Sequence, residues 1–342
     1  MSKIAFVTGA TGFVGSHLAE ELVRRGSYDE VRCLVRSRFK WLDGVSGVTP
    51  VRATLGDLER IWEALRGVTH VYHLGGVTRA RDWRTFQENN VRATLTLLGA
   101  VAQTASDDTL ERVLVTSSLA AVGRYPGEAA TEDAELRPVS RYGRSKAQME
   151  RALAEQHDMR ASFHDQLPIT VARPPAVYGP RDRDILDFFK AVNWGVCPVV
   201  GGGGERVSLV FVEDLARGLV EAAEADAAAG ETYFLGGPGS ERGAAPTWND
   251  VKAAAAEALG RRALTVPVPG PLVGAVGAAS EAWGRLTGRY PPLNREKARE
   301  IRHACTVCSS KKAHADFGYA PSTPLAEGVA ETIRWYREEG WL

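Results

Sequence analysis

Lysine is scarce in this chain. Eight occur, at positions 3, 40, 146, 190, 252, 297, 311 and 312, against thirty-four arginines. Net charge is missing as well: 42 basic side chains balance 42 acidic ones. The chain therefore lacks the basic excess of a nucleic-acid binder. It also lacks the single-sign blocks of a disordered tail or a polybasic membrane anchor. Cysteine is sparse, at 33, 197, 305 and 308 only. That is too few for a secreted disulfide scaffold and makes the reducing cytoplasm the expected location. Cys305 and Cys308 form a CxxC pair, but a structural zinc usually takes two such pairs. A single pair reads as two small apolar residues in a half-buried strand, and no metal site is expected. Long apolar runs are absent too. The long uncharged stretch over 264–280 is interrupted by Pro267, Pro269, Pro271 and three glycines, so no membrane span is expected. For 272–286 a helix packed on the protein's own core is expected, rather than a lid or a membrane-surface segment. The opening MSKIAFVTGA meets Gly9 directly after its apolar run, which reads as a strand and not as a targeting signal.

What remains is an ordinary soluble composition, 44% hydrophobic and 25% charged over 342 residues. That length suits two domains or one fold with an added lobe. Short β-branched runs at 3–8, 30–35, 48–53, 70–74, 112–116 and 169–172 alternate with helical patterns at 12–25, 57–65, 84–104 and 141–157. Continuous apolar strands alternating with helices imply a parallel sheet covered on both faces, an α/β fold. After Arg173 proline and glycine cluster. A strand is expected at 207–211, a helix at 213–225 and a strand at 231–235. Helices at 248–259, 272–286, 295–303 and 325–338 follow, with little sheet.

The first strand ends in Thr8-Gly9-Ala10-Thr11-Gly12-Phe13-Val14-Gly15. Glycines at this strand-to-helix turn allow a tight bend, a close approach of a pyrophosphate and close helix packing. The helix N-terminus then offers N–H groups to the phosphates. A dinucleotide site follows, and with it a Rossmann-type doubly wound sheet. Its dinucleotide domain is expected over 1–175 and 206–236, with a discontinuous helix-rich substrate lobe over 176–205 and 237–342. The second strand ends in Val35-Arg36-Ser37-Arg38 rather than in an acidic residue. A guanidinium suits a 2′-phosphate, so NADP is expected. NAD stays usable if Arg36 only stacks on adenine.

Tyr142 and Lys146 are four apart and share a helix face. The ammonium is expected to lower the phenol from about 10 toward neutrality and make it an acid–base for an alcohol–ketone pair. The fifth strand ends in Thr116-Ser117-Ser118, where ligands of a parallel sheet sit. A serine there is expected to hold the substrate oxygen beside Tyr142. Thr116 and Ser117 are expected beside the cofactor, though either hydroxyl also suits a loop-backbone bond.

In combination, TGATGFVG at 8–15, GDL at 56–58, HLGG at 73–76, NVRAT at 90–94, TSS at 116–118, YGRSK at 142–146, RPPAVYGP at 173–180 and FVEDLA at 211–216 resemble the extended short-chain dehydrogenase/reductase family. The endings at 309–321 and 335–342 resemble it too, so the likeness spans essentially the whole chain. The resemblance implies catalytic roles for Ser118, Tyr142 and Lys146, with Lys146 also on the nicotinamide ribose. It implies cofactor contacts from Asp57 and Leu58 at the adenine, from Leu74, Gly75 and Gly76 along the middle, and from Pro175 and Val177 at the carboxamide. Asn90 would hold the active-site helix geometry. A homodimer through the helices at 84–104 and 141–157 is implied as well. Asp214 reads as a helix cap or structural contact.

The family holds reductases, steroid-type dehydrogenases, nucleotide-sugar epimerases and dehydratases. Leu119-Ala120-Ala121 after Ser118 carries no group for elimination. Ala176 stands where many nucleotide-sugar enzymes have Asn, and Arg206-Val207-Ser208-Leu209-Val210 lacks their Arg-Asp-Phe. Leu272, Val273, Val276, Trp283 and Leu286, with Phe188, Phe189 and Trp194, suggest an apolar substrate surface or the lobe's own core. The expected activity interconverts a hydroxyl and a ketone on a small, apolar substrate. The alternatives are a nucleotide-sugar epimerase with tightly bound NAD and a non-catalytic NADP-sensing regulator.

Overall fold

The computed structural model describes residues 2–104, 109–155, 161–287, 295–304 and 306–342. Seven strands form one parallel sheet: β1 (Ile4–Thr8), β2 (Glu30–Val35), β3 (Val48–Arg52), β4 (His70–His73), β5 (Arg112–Thr116), β6 (Ile169–Arg173) and, later in the chain, β10 (Thr232–Phe234). Their order is β10-β6-β5-β4-β1-β2-β3. Strand order reverses between β1 and β4, which opens a crevice at their carboxyl ends. Successive side chains of a strand point to opposite faces, and β1 uses both. Ala5 and Val7 join Leu18, Leu22, Leu215 and Leu219 on one face. Ile4 and Phe6 join Ile61, Leu97, Val101 and Met149 on the other. That double burial is why these strands are continuously apolar. The chain has the Rossmann-like α/β fold expected from its alternation.

Four further strands make two small parallel pairs: β7 (Ala176–Tyr178) with β9 (Leu209–Phe211), and β8 (Val196–Val200) with β11 (Leu264–Val268). Little sheet was expected here, and β8 and β11 correct that. Pro198 and Pro267 lie inside them and read as breakers in sequence, but a two-stranded sheet has only edge strands, which accept proline. The lobe's core gathers Phe189, Val192, Cys197, Val199, Val251 and Tyr336. Phe188 packs there against Trp248 at 5.4 Å. Val273 is buried, but Leu272, Val276 and Trp283 of the helix Gly270–Thr287 are exposed, so that helix does not lie wholly in the core as expected. The Leu286 side chain and Cys305 lie outside the described residues, while Cys308 is buried. The helical stretch after β4 is continuous but changes pitch. Trp83–Phe86 is α-helical, Gln87–Arg92 is a π-helical turn, and Ala93–Thr104 is α-helical again.

Candidate active site

The glycine turn after β1 is a close-packed cradle. Gly9 has φ +75°, and a Cβ there would stand 2.7 Å from the Leu74 carbonyl carbon. A Cβ on Gly15 would stand 2.2 Å from the Gly9 carbonyl oxygen. Gly12 begins the helix Phe13–Arg25 with no side-chain cap. The Ser16 N–H bonds the Gly12 carbonyl at 3.0 Å, so the N–H groups of Phe13, Val14 and Gly15 precede the ladder. Gly75 N–H donates to Thr8 Oγ1 at 3.3 Å, which brings the end of β4 against the turn. Arg36 is exposed just past β2. Asp57 and Leu58 stand past β3, with Asp57 at 3.5 Å from Arg60. A cradle that any Cβ would fill, beside an uncapped helix N-terminus, fits a dinucleotide pyrophosphate.

Asn90 lies in the π-helical turn, fully buried. Its amide donates to the Val77 carbonyl at 2.9 Å and to Ser145 Oγ at 2.8 Å, and its carbonyl accepts from Val77 N–H at 2.7 Å. π-turns recur at functional sites. Here the turn ties the Gly76 loop to the helix Arg141–Ala154. Ser140 caps that helix by accepting from Gly143 N–H at 3.1 Å. A Cβ on Gly143 would stand 2.2 Å from the Ala120 carbonyl oxygen, so glycine lets the helix touch the loop after Ser118.

That contact brings the three expected catalytic side chains together. Ser118 lies within reach of the Tyr142 phenol, and its Oγ accepts from Ala120 N–H at 3.2 Å. Lys146 Nζ donates to the Thr116 carbonyl at 2.7 Å. A Cβ on Gly76 would stand 3.8 Å from that Nζ. The expected titration is reversed. Burial pushes the Tyr142 phenol up to about 12, the Ser118 bond opposes this, and the Glu300 and Asp184 carboxylates add to it. Lys146 is itself lowered to about 8 by desolvation, against the pull of Glu150. Its proton donors are turned to a backbone carbonyl, and burial outweighs the help it could give the phenol.

The side chains of Thr116 and Ser117 are placed differently from Ser118. Ser117 Oγ donates to Glu150, and Thr116 Oγ1 is buried without a partner. Glu150 also pairs with Arg173 at 2.6 Å, both nearly fully buried, and this pair had no obvious sequence signal. The i,i+4 spacing of Lys146 and Glu150 and the Arg of RPPAVYGP were the available hints. His73, likewise unanticipated, bridges Thr8 Oγ1 at 2.6 Å and Thr94 Oγ1 at 2.8 Å. Pro175 follows β6, and Val177 lies half-buried in β7, where the chain leaves the sheet. Asp214 sits buried in the first turn of Val212–Glu224 and pairs with Arg217. It accepts from the Ser322 and Thr323 N–H groups at 3.2 and 3.0 Å, a structural contact.

Two cavities open away from the glycine turn. One of about 290 Å³ is apolar, lined by Tyr178, Leu209, Pro238, Pro246 and Leu325 among others. The other, about 500 Å³, is lined by Arg124, Tyr125, Arg137, Arg302 and His303 among others. It lies between the loop after Ser118 and the end of the helix Arg295–His303. Among the described residues no cluster of His, Cys, Asp or Glu is placed to hold a metal ion.

Residues 5–236 match the NAD dependent epimerase/dehydratase family. The chain is 31% identical to a ceramide reductase of Caulobacter vibrioides, over 99% of this chain and 96% of that protein. Among solved structures it resembles gox2253, with a TM-score of 0.78 at 27% identity over 99% of both chains. It also resembles MoeE5 in complex with UDP-glucuronic acid and NAD, with a TM-score of 0.74 at 26% identity over 98% of this chain and 99% of that one. The chain thus belongs to the NAD dependent epimerase/dehydratase family, within the extended short-chain dehydrogenases/reductases, and is an NAD(P)-dependent oxidoreductase.

Proposed function

We propose that this protein reduces a ketone to an alcohol on a small, apolar substrate, with NADPH as the preferred cofactor. The observation that carries the reading is the placement of Ser118, at the carboxyl end of β5, beside the Tyr142 side chain, with Lys146 one turn further along the helix. Ser118 and Tyr142 hold the carbonyl oxygen. Raised to about 12 by burial, the phenol is protonated near neutrality, and its proton would pass to the oxygen only as hydride arrival makes that oxygen an alkoxide. A bound nicotinamide supplies the hydride to the carbonyl carbon. As the O–H bond to the new alcohol forms, Tyr142 is left as phenolate, which the Ser118 hydroxyl beside it would stabilise by hydrogen bonding. Asn90 and Gly76 position Lys146, and the glycine cradle with Phe13, Val14 and Gly15 N–H groups binds the pyrophosphate. Exposed Arg36 at the end of β2 supports a 2′-phosphate. The likeness to a ceramide reductase supports both reduction and an apolar substrate.

The test is a panel of ketones with NADPH and NADH. A lower KM for NADPH is expected, and Tyr142→Phe should lower turnover by about 10³. Unchanged turnover in that variant would sink the mechanism. The basic cavity at Arg124, Arg137 and Arg302 and the likeness to MoeE5 favour a second reading, a nucleotide-sugar epimerase. Co-purifying NAD with UDP-sugar binding, and no ketone turnover, would select it.

A further inference from the structure

The small β8–β11 sheet departs from the usual alternation. A sheet with one face in water normally puts polar side chains there. Cys197 and Val199 point into the lobe's core, yet the outward side chains are apolar too. Register sets Leu264 beside Val196 and Val266 beside Pro198, and all four are exposed. Leu264 is 76% exposed. Trp194, 78% exposed, directly precedes β8. Leu264 N–H donates to the Gly195 carbonyl at 2.9 Å, which ties that turn to the start of β11. The chain then passes into the helix Gly270–Thr287, where Leu272 and Val276, one turn apart, are 52% and 46% exposed. Single exposed hydrophobics are ordinary, but Leu264, Val196, Val266 and Pro198, side by side on one sheet face, form a grouped set that marks an interaction surface.

The charge around this face identifies its occupant. No charged residue occurs from Leu264 to Ser280. Arg261 and Arg262, both exposed, stand immediately before β11, beside the turn that carries Trp194. Aliphatic side chains with arginine and tryptophan at the border match the layering of a bilayer surface, where indole sits at headgroup depth and guanidinium meets phosphate. We propose that this face docks on a lipid bilayer bearing anionic headgroups. Among the described residues no helix is long and apolar enough to cross a membrane, so the protein lies on the surface. Docking goes beyond the proposed reduction and does not depend on it.

The full chain is sedimented with vesicles of phosphatidylcholine and phosphatidylglycerol, and with vesicles of phosphatidylcholine alone. Binding is expected to the mixed vesicles and about tenfold weaker to the neutral ones. The double variant Leu264→Asp/Val266→Asp should lose binding to both. Arg261→Glu/Arg262→Glu should lose the preference for the mixed vesicles. Circular dichroism and reduction of a water-soluble ketone should match the unmodified protein in the Leu264→Asp/Val266→Asp variant. The proposal is overturned if the unmodified protein stays in the supernatant, or if the aspartate variant sediments equally well. It is also overturned if light scattering shows a dimer that the aspartate variant dissociates, which assigns the face to a second copy. Sedimentation in the expected pattern without ketone turnover in any form leaves docking standing and removes the reductase reading alone.

Discussion

Lys146 carries a charge that its surroundings oppose. Desolvation lowers it to about 8, and Glu150 only partly offsets this. The ammonium is therefore full well below pH 8, half lost at about 8, and gone before the Tyr142 phenol ionises. The expected outcome is a fall in kcat/KM for the cofactor above about pH 8, since that ratio reports groups of the free enzyme. A profile flat to pH 10 would show that Lys146 does not need its charge. Arginine is the default cation in this chain, yet its guanidinium would not deprotonate here and is too broad to replace a compact ammonium donating to the Thr116 carbonyl. The Tyr-x-x-x-Lys spacing was legible because helix periodicity is local. The reversed titration was not, because burial depends on packing by residues far away in sequence.

At the scale of elements, the site depends on how closely the helix Arg141–Ala154 meets the loop after β5. Gly143 sets that approach, because a Cβ there would lie 2.2 Å from the Ala120 carbonyl oxygen. Gly143→Ala must push the helix from the loop and separate Tyr142 from Ser118. A shift of about 1 Å costs on the order of 10²-fold in rate, so kcat should fall by about that factor, and the KM for cofactor should rise because Lys146 rides on the same helix. Steady-state kinetics with cofactor titration would check this, and an unchanged kcat would show that the contact does not position the tyrosine. β1, its glycine turn and the following helix were readable because turn chemistry and apolar runs are written locally. β8 and β11 were hidden, since their prolines signal a break and their pairing joins residues 196–200 to 264–268.

Across the whole molecule, buried histidines link stability to pH. His73 is held at about 3, His70 at about 3 and His17 at about 4, with burial the first cause in each. All three lie below the ordinary 6.5, so the unfolded chain binds more protons between those values. The stability tied to neutral histidine is full above pH 6.5 and is lost as pH falls toward 3. Each group contributes a slope of up to about 1.4 kcal/mol per pH unit in that window. Asp182, raised to about 6 by burial, works in the opposite direction, so the clean readout is a difference. His73→Gln should flatten the pH dependence of urea unfolding between pH 6 and 4 by about one proton relative to the parent. Parallel curves would show that His73 does not titrate on unfolding.

By itself the sequence determined the parallel α/β sheet, and it singled out the glycine turn and the Tyr142–Lys146 spacing as the proposed site. Each of these is encoded by a short period, a turn or a spacing within one element or its next neighbour. Tertiary structure alone decided that Ser117 faces the buried Glu150–Arg173 pair, that Lys146 donates to a backbone carbonyl, and that Leu264 and Val196 share an exposed apolar face. Those outcomes turn on which distant residues share a buried volume or a sheet edge, and no local pattern specifies that.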